Sequence, residues 1–162
     1  MIYIGCDPAF RKNGFALCID DGTELRFLEF KNYTNFLGWL LYDRPETAVF
    51  CVENSNLQKA FFPKNATLQY ANSVGKNQAV SQITHWLAQQ NWGVGNAIEI
   101  SPKQKGAKID VENKSNMLIF RKESRYLGPI SQDEMDAYQI MKIGKHLHKL
   151  NQLKQRSHAN RW

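Results

Sequence analysis

Two carboxylates follow predicted strands at positions where functional groups collect. Asp7 comes directly after the apolar run Met1–Cys6, and Glu53 comes directly after the fully apolar run Ala48–Val52. A run of the second kind is typical of a strand buried on both faces. In an open α/β sheet, functional groups gather beyond the carboxyl ends of the strands. If the two strands are parallel neighbours, their carboxylates converge at one edge, although each alone also fits an ordinary turn or strand end.

Two further carboxylates lie on the inward face of the last predicted helix. Ser131 and Glu134 have the spacing of a capping box, which starts this helix at Gln132. Asp133 and Asp136 share one face, whereas Glu134 lies about 160° away from Asp136. Buried carboxylates are costly unless they are paired or bind a metal. We therefore predict that Asp133 and Asp136 are metal ligands and that Glu134 caps the helix. The same face continues through Ile140, Ile143, Leu147 and Leu150.

The four carboxylates predict a site for two hard divalent cations. Mg²⁺ prefers oxygen ligands, and Mn²⁺ accepts the same ligands. Two such ions about 3.5–4 Å apart activate a water on one side of a phosphodiester and stabilise the leaving oxygen on the other. The predicted ligands are Asp7, Glu53, Asp133 and Asp136.

The charge distribution favours a polyanionic partner. The net charge is +6, and residues 101–125 carry 7 basic and 3 acidic side chains. Residues 126–136 carry 0 basic and 3 acidic side chains, and residues 137–162 carry 6 and 0. Basic segments attract nucleic acid, while clustered carboxylates repel it unless cations intervene. For the basic tail, two interpretations stay open, a frayed solvated helix end and an arm that contacts duplex DNA.

The predicted elements follow the order βββαβαβ and end in helices. This is the element order of the ribonuclease H-like fold, in which helical crossovers place helices on both faces of a mixed sheet. We predict one α/β domain over residues 1–150, with a five-stranded mixed sheet flanked by helices, and a basic tail over 151–162. The strands are Met1–Cys6, Gly14–Ile19, Glu24–Phe30, Ala48–Val52 and Asn96–Ile100, and the helices are Asn35–Tyr42, Thr67–Gln90, 111–125 and 131–150.

Composition excludes several other classes of protein. The chain has 162 residues, of which 43% are hydrophobic and 22% charged, as in a single soluble domain. Cys6, Cys18 and Cys51 sit in apolar stretches without CxxC spacing, which indicates buried thiols rather than a zinc site. No apolar run approaches the roughly 18 residues of a membrane span, and the N-terminus lacks the pattern of a signal peptide. We expect a cytoplasmic protein, nucleoid-associated or phage-encoded in a bacterial host.

Several segments resemble the RuvC-type Holliday-junction resolvases. IGCDPAFRKNG at Ile4–Gly14 is similar to the family's opening strand and G-x-D-P-G pattern, with Ala9 at the usual place of the second glycine. VEN at Val52–Asn54 resembles the second motif, and Asp133-x-x-Asp136-Ala137 resembles the final one. Val74–Val80 is similar to part of a long helix that forms much of the family's dimer interface.

The resemblance implies a homodimer that cuts two opposed strands of a four-way DNA junction with magnesium. The four predicted metal ligands match the family's metal-binding acids one by one. Lys105 or Lys108, together with Lys114, falls near the family's active-site lysines, and the choice between the first two stays open. The small residues Gly75 and Ala79, four apart on the predicted helix Thr67–Gln90, would let a second helix approach closely.

An aromatic pair in the loop after Glu53 is the predicted contact with the junction centre. Aromatics in a similar place in the family lie against the opened junction, where stacking on unpaired bases is worth about 1–3 kcal/mol per base. The alternative is that both rings pack on the core. The predicted DNA-binding residues are Lys59, Phe61, Phe62, Lys64, Lys76 and Lys103.

Two other functions compete with junction cleavage. One is a ribonuclease H-like nuclease that acts on RNA–DNA hybrids or other branched DNA. The other is a junction-binding protein that does not cleave, although such a protein has no reason to bury unpaired carboxylates. An actin-like kinase would need two duplicated domains, and a P-loop enzyme would need the GxxxxGK[ST] pattern, which the sequence lacks.

Overall fold

A five-stranded mixed sheet forms the centre of the protein. The structure, a computed structural model, describes residues 1–8, 15–57 and 67–159. Within the sheet the strand order is β3-β2-β1-β4-β5. The pairs β1–β2 and β2–β3 are antiparallel, whereas β1–β4 and β4–β5 are parallel pairs. The strands are β1 (Ile2–Asp7), β2 (Phe15–Asp20), β3 (Leu25–Phe30), β4 (Ala48–Glu53) and β5 (Ala97–Ile100). This arrangement confirms the predicted fold class.

The helices begin at side-chain caps that the sequence supplies. Asn32, Thr67 and Asn113 each accept a hydrogen bond from a backbone N–H of the first helical turn. The predicted capping box is confirmed, because the Ser131 backbone N–H donates to Glu134 Oε2 at 2.7 Å. The helices are α1 (Tyr33–Tyr42), α2 (Leu68–Trp92), α3 (Pro102–Lys105), α4 (Lys114–Ser124) and α5 (Gln132–Ala159). The sequence did not predict the short helix α3.

Helices cover both faces of the sheet. Helices α1 and α2 pack on one face, where Phe50 stacks on Trp92 with ring centroids 5.1 Å apart. Helices α4 and α5 pack on the other face, where Phe120 meets Tyr138 edge to face. Both faces of β4 are therefore buried, as its apolar sequence predicts. The three cysteines are buried and free, also as predicted.

Two glycines allow α5 to lie directly on the sheet. A Cβ at Gly5 of β1 would meet the carbonyl oxygen of Ala137 at 2.1 Å, and a Cβ at Gly144 would meet Cys51 Sγ at 2.1 Å. Real Cβ atoms do not tolerate such distances, so neither position can carry a side chain without a shift of its neighbours. This close packing fixes the first turn of α5 beside the ends of β1 and β4.

Helix α5 is longer than the sequence predicts. It continues to Ala159 instead of ending at residue 150, and residues 149–158 are all exposed. Leu150 is 38% exposed, so its predicted place on the inward face is wrong. The reason is that α5 has by then reached the edge of the sheet, where His148 contacts Tyr3. The boundary predicted at residue 150 between domain and tail stays a prediction.

No helix within residues 1–8, 15–57 and 67–159 combines the length and the apolar character that crossing a membrane requires.

Candidate active site

The parallel pair β1–β4 brings the first two predicted carboxylates to one edge of the sheet. Ile2 pairs with Ala48 and Cys6 with Val52, so Asp7 and Glu53 end adjacent strands side by side. The first turn of α5 adds Asp133 and Asp136. One cleft of about 200 Å³ is lined by all four carboxylates together with Pro8, Ser55, Asn77, Ser81 and Lys108. The structure thus brings the four together, and their role as metal ligands stays a prediction.

Lys105 lies between the carboxylates as their counterion. Its Nζ is 2.6 Å from Glu53 Oε2 and 3.7 Å from Asp136 Oδ2. Burial lowers the pKa of Lys105, but the hydrogen bond to Glu53 and the charges of Asp7, Glu53 and Asp136 outweigh burial and raise the pKa. Lys105 is the last residue of α3, which begins with a capping box at Ser101 directly after β5. This short helix positions Lys105 beside the carboxylates.

The structure separates the other two predicted active-site lysines. Lys108 Nζ is 3.5 Å from Asp136 Oδ2, but its side chain is 58% exposed, against 13% for Lys105. Both alternatives that the sequence left open therefore reach the carboxylates: Lys105 pairs with Glu53 and Asp136, and the more exposed Lys108 is one of the residues that line the cleft. Lys114, the first residue of α4, is exposed and is not among the residues that line the cleft.

Negative charge is in excess in this cleft. Burial, followed by the nearby carboxylates of Glu53, Asp136 and Asp133, raises the pKa of Asp7 to about 7, although Lys105 opposes the rise. Among the described residues, Lys105 and Lys108 supply two positive charges for four carboxylates. Such a strongly shifted carboxyl in a cleft is a physical sign of a functional site.

Two glutamines that the sequence analysis did not select connect α5 to the loop before α4. Gln132 Nε2 donates to Asp136 Oδ1 at 3.0 Å and to the carbonyl oxygen of Ile109 at 2.9 Å. Gln139 Nε2 donates to the carbonyl oxygen of Ala107 at 3.0 Å. These bonds hold both Asp136 and the loop that carries Lys108. In the sequence, the only indication that the two glutamines act together is their spacing of seven residues, which places them two turns apart on the same side of α5.

A hydrogen-bonded network of partly buried side chains begins at Asn54, the residue after Glu53. Asn54, 3% exposed, donates its backbone N–H to the carbonyl oxygen of Ile100 at 2.9 Å. Its Nδ2 donates to Glu99 Oε1, and His85 Nδ1 lies 3.0 Å from the same oxygen. The network joins β4, β5 and α2 at the position where Glu53 leaves the sheet. The sequence indicated only Asn54, through the segment VEN.

The donor set suits a hard divalent cation. Among the described residues, no group of three or more His, Cys, Asp or Glu side chains is arranged so as to hold a metal ion. Lys105 lies between Glu53 and Asp136, which supplies positive charge where a metal would supply it. Glu53 Oε2 is buried, and its partner among the described residues is the Lys105 ammonium, 2.6 Å away. Oxygen donors with excess negative charge are the ligands that Mg²⁺ prefers.

The remaining predicted DNA-binding residues lie outside the cleft or outside the described part of the chain. Lys76 is on the exposed face of α2, one residue before Asn77 of the cleft, and Lys103 is exposed on α3. Lys59, Phe61, Phe62 and Lys64 fall outside the described residues.

The sheet order and the placement of α5 define a RuvC-like fold within the ribonuclease H-like class. No protein-family model matches the sequence, and no curated protein sequence matches it. The chain is similar in structure to T. thermophilus RuvC in complex with a Holliday junction substrate, with a TM-score of 0.52 and 17% sequence identity. The match covers 94% of this chain and 96% of that chain, which shows that the two share the fold.

Proposed function

We propose that the protein is a magnesium-dependent endonuclease that resolves four-way DNA junctions by paired nicks. The observation that carries the proposal is the convergence of four carboxylates, from β1, β4 and α5, in one cleft of a RuvC-like fold. The structural neighbour is a RuvC bound to a Holliday junction. A protein that only binds junctions has no need for four carboxylates in excess of cationic charge.

Asp7, Glu53, Asp133 and Asp136 would hold the metal ions, two for each active site. Bound there, divalent ions would activate water and stabilise the leaving oxygen of a phosphodiester. Mn²⁺ would substitute for Mg²⁺, because both accept carboxylate and water ligands.

The lysines would bind the phosphate that enters the cleft. Lys105, 2.6 Å from Glu53 and 3.7 Å from Asp136, would be released to bind a phosphate once metal ions neutralise these carboxylates. Lys108, more exposed and 3.5 Å from Asp136, lies where an incoming DNA strand would first meet the cleft. Asp7, with its pKa near 7, would give up its proton when positive charge enters.

A second copy of the chain would pack on α2. An apolar stripe with spacings of 4, 4 and 3 residues lies on the exposed side of this helix, where Ile83 is 48% and Trp86 56% exposed. A Cβ at Gly75 would meet nothing within 4 Å, so another helix has room to approach. A C₂ dimer presents two identical sites, which matches the approximate two-fold symmetry of a four-way junction and its two opposed nicks. The stripe consists of Gly75, Ala79, Ile83 and Trp86.

Light scattering at micromolar concentration tests the dimer. We expect the mass of a dimer for the wild type and a shift toward monomer for Ile83→Glu. Leu118→Glu is the matched control, because Leu118 is 70% exposed on α4, away from the stripe. A wild type that is strictly monomeric, both free and on the junction, would rule out paired nicking.

One assay tests the proposed activity directly. The protein is incubated with Mg²⁺ and equal amounts of a mobile four-way junction, a linear duplex and an RNA–DNA hybrid, each end-labelled. We expect two symmetric nicks in the junction and little cleavage of the other two. Preferred cleavage of the hybrid would favour a different ribonuclease H-like nuclease. Tight junction binding without cleavage under Mg²⁺ or Mn²⁺ would favour a binding protein.

A further inference from the structure

The second half of α5 carries most of its basic side chains on one side. At about 100° per residue, five of them fall within an arc of about 100°, whereas Lys154 and His158 lie outside this arc. Nearer the N-terminus of α5, helix α4 covers this side, and Phe120 contacts Tyr138 there. The cations begin where α4 ends. No acidic residue follows Asp136 in the sequence. We call this surface the basic face of α5, formed by Lys142, Lys145, His146, Lys149 and Arg156.

The basic face is neutralised at its start and uncompensated further along. Lys142 pairs with Glu123, and Lys145 Nζ lies 2.6 Å from Asp20 Oδ2. Among the residues that the structure describes, Lys149 and Arg156 have no acidic side chain within ion-pair distance. Both are exposed on the part of α5 that runs past the His148–Tyr3 contact. Lys149 and Arg156 are therefore held on a continuous helix and not on a frayed end, as is Lys154, which lies outside the basic arc.

We propose that Lys149 and Arg156 bind the phosphate backbone of a duplex arm, some distance from the cleavage site. With a rise of about 1.5 Å per residue, they lie roughly 20 Å and 30 Å from Asp136 along α5. At about 3.4 Å per base pair, these distances correspond to roughly six and nine base pairs of duplex. The choice of DNA as the polyanion rests on the proposed function.

The helix is poorly suited to the other polyanionic partner, an anionic membrane surface. A helix that lies on a membrane needs a broad apolar face opposite its cations. The exposed large apolar side chains of this segment are Leu150 and Leu153, and Leu153 falls inside the basic arc. The neighbouring exposed positions are polar, namely Asn151, Gln152, Gln155 and Ser157.

The test compares two charge-matched double variants of the full chain, each also carrying Asp7→Asn and measured in EDTA so that no cleavage occurs. In K149Q/R156Q both cations of the proposed contact are removed, and in K31Q/K122Q two exposed cations elsewhere are removed. Glutamine keeps the helix propensity of Lys and Arg, so the fold is retained, which circular dichroism and thermal unfolding check. Binding is measured on two four-way junctions, one with arms of about 15 base pairs and one with arms of about 5 base pairs. The long arms reach past both Lys149 and Arg156, whereas the short arms end before either residue.

We expect K149Q/R156Q to bind the long-armed junction roughly tenfold more weakly in 100 mM salt, with the slope of log K against log salt reduced by up to about two. On the short-armed junction it should bind like K31Q/K122Q. Equal binding of both variants to long arms would overturn the proposal. It would also be overturned if K149Q/R156Q instead lost binding to phosphatidylserine vesicles. Failure of the proposed function would be seen in a different measurement. In that case the wild type would not nick the junction with Mg²⁺, independently of how tightly the variants bind DNA.

Discussion

Each of the two edges of the sheet pairs an acid with a lysine, yet the edges differ in their balance of charge. At the carboxyl edge Lys105 lies 2.6 Å from Glu53, and at the opposite edge Lys145 lies 2.6 Å from Asp20. The cleft at the carboxyl edge is lined by four carboxylates, and among the described residues Lys105 and Lys108 are the cations paired with them.

The cleft at the opposite edge has the reverse balance. About 710 Å³ in volume, it is lined by three carboxylates, Asp20, Glu24 and Glu123, and by four permanent cations, Arg125, Lys142, Lys145 and Lys149. An acid–lysine pair is therefore not the feature that distinguishes the candidate active site. The distinguishing feature is the excess of carboxylates over cations among the described residues, because such an excess favours the binding of metal ions.

The largest expected effect is a difference in junction nicking between substitutions at the two edges. Asp7→Asn should reduce junction nicking by more than the roughly 10–100-fold that losing a supporting partner of a metal site costs, because it removes a ligand itself. Junction binding should persist or tighten, since negative charge leaves the path of the DNA. Asp20→Asn, at the opposite edge, is the control and should nick at close to the wild-type rate. Comparable nicking by Asp7→Asn and wild type would disprove the assignment of the site.

The second prediction sharpens the comparison within the first turn of α5. Asp133→Asn and Asp136→Asn should reduce the rate of junction nicking as much as Asp7→Asn does, because each removes a proposed metal ligand. Glu134→Gln should stay within about twofold of wild type, because the glutamine oxygen can still accept from the Ser131 N–H and the side chain does not line the cleft. Measured rates in the opposite order would show that the orientation of this helix is wrong.

The third prediction concerns the part of α5 that joins the two edges. Gly144→Ala should lower the free energy of unfolding by about 1–3 kcal/mol, because the new Cβ would overlap Cys51 Sγ. Gly38→Ala, in the interior of α1 with nothing within 4 Å of a new Cβ, should raise it by about 0.5–1 kcal/mol. Urea denaturation at neutral pH measures both. Equal effects of the two substitutions would mean that α5 does not lie directly on β4.

The smallest expected effect is a pH dependence of stability from the edge opposite the candidate site. Burial lowers the pKa of His148, whose Nδ1 lies 3.2 Å from the Tyr3 hydroxyl, with Lys145 and Asp20 nearby. The unfolded chain therefore takes up this proton first as the pH falls. Stability from this group is complete above the ordinary histidine value of about 6.5 and declines below it.

Urea unfolding of the wild type and His148→Gln at pH 7.5 and pH 5.5 measures this contribution. We expect the loss of stability at the lower pH to be smaller in the variant. His146→Gln, exposed on the same helix, is the control and should behave as wild type. If His148→Gln keeps the full pH dependence, the loss arises from other groups.

The sequence by itself determined the order of the elements and the positions of the four carboxylates. Alternation of apolar residues, caps such as Thr67 and the Ser131–Glu134 box are local, so they can be recognised without knowing the neighbours. The same locality explains why Asp133 and Asp136 could be separated from Glu134 by helix geometry alone.

Only the tertiary structure decided how Lys105 and Lys108 reach the carboxylates, how far α5 extends and which residues form the network that begins at Asn54. Lys105 and Lys108 are three residues apart in one polar segment, and their burial depends on α3 and on the loop held by Gln132 and Gln139. Nothing local marks Leu150 as exposed, because its environment depends on where the sheet ends. Contacts between residues distant in sequence, such as His85 with Glu99, arise from packing that no local pattern encodes.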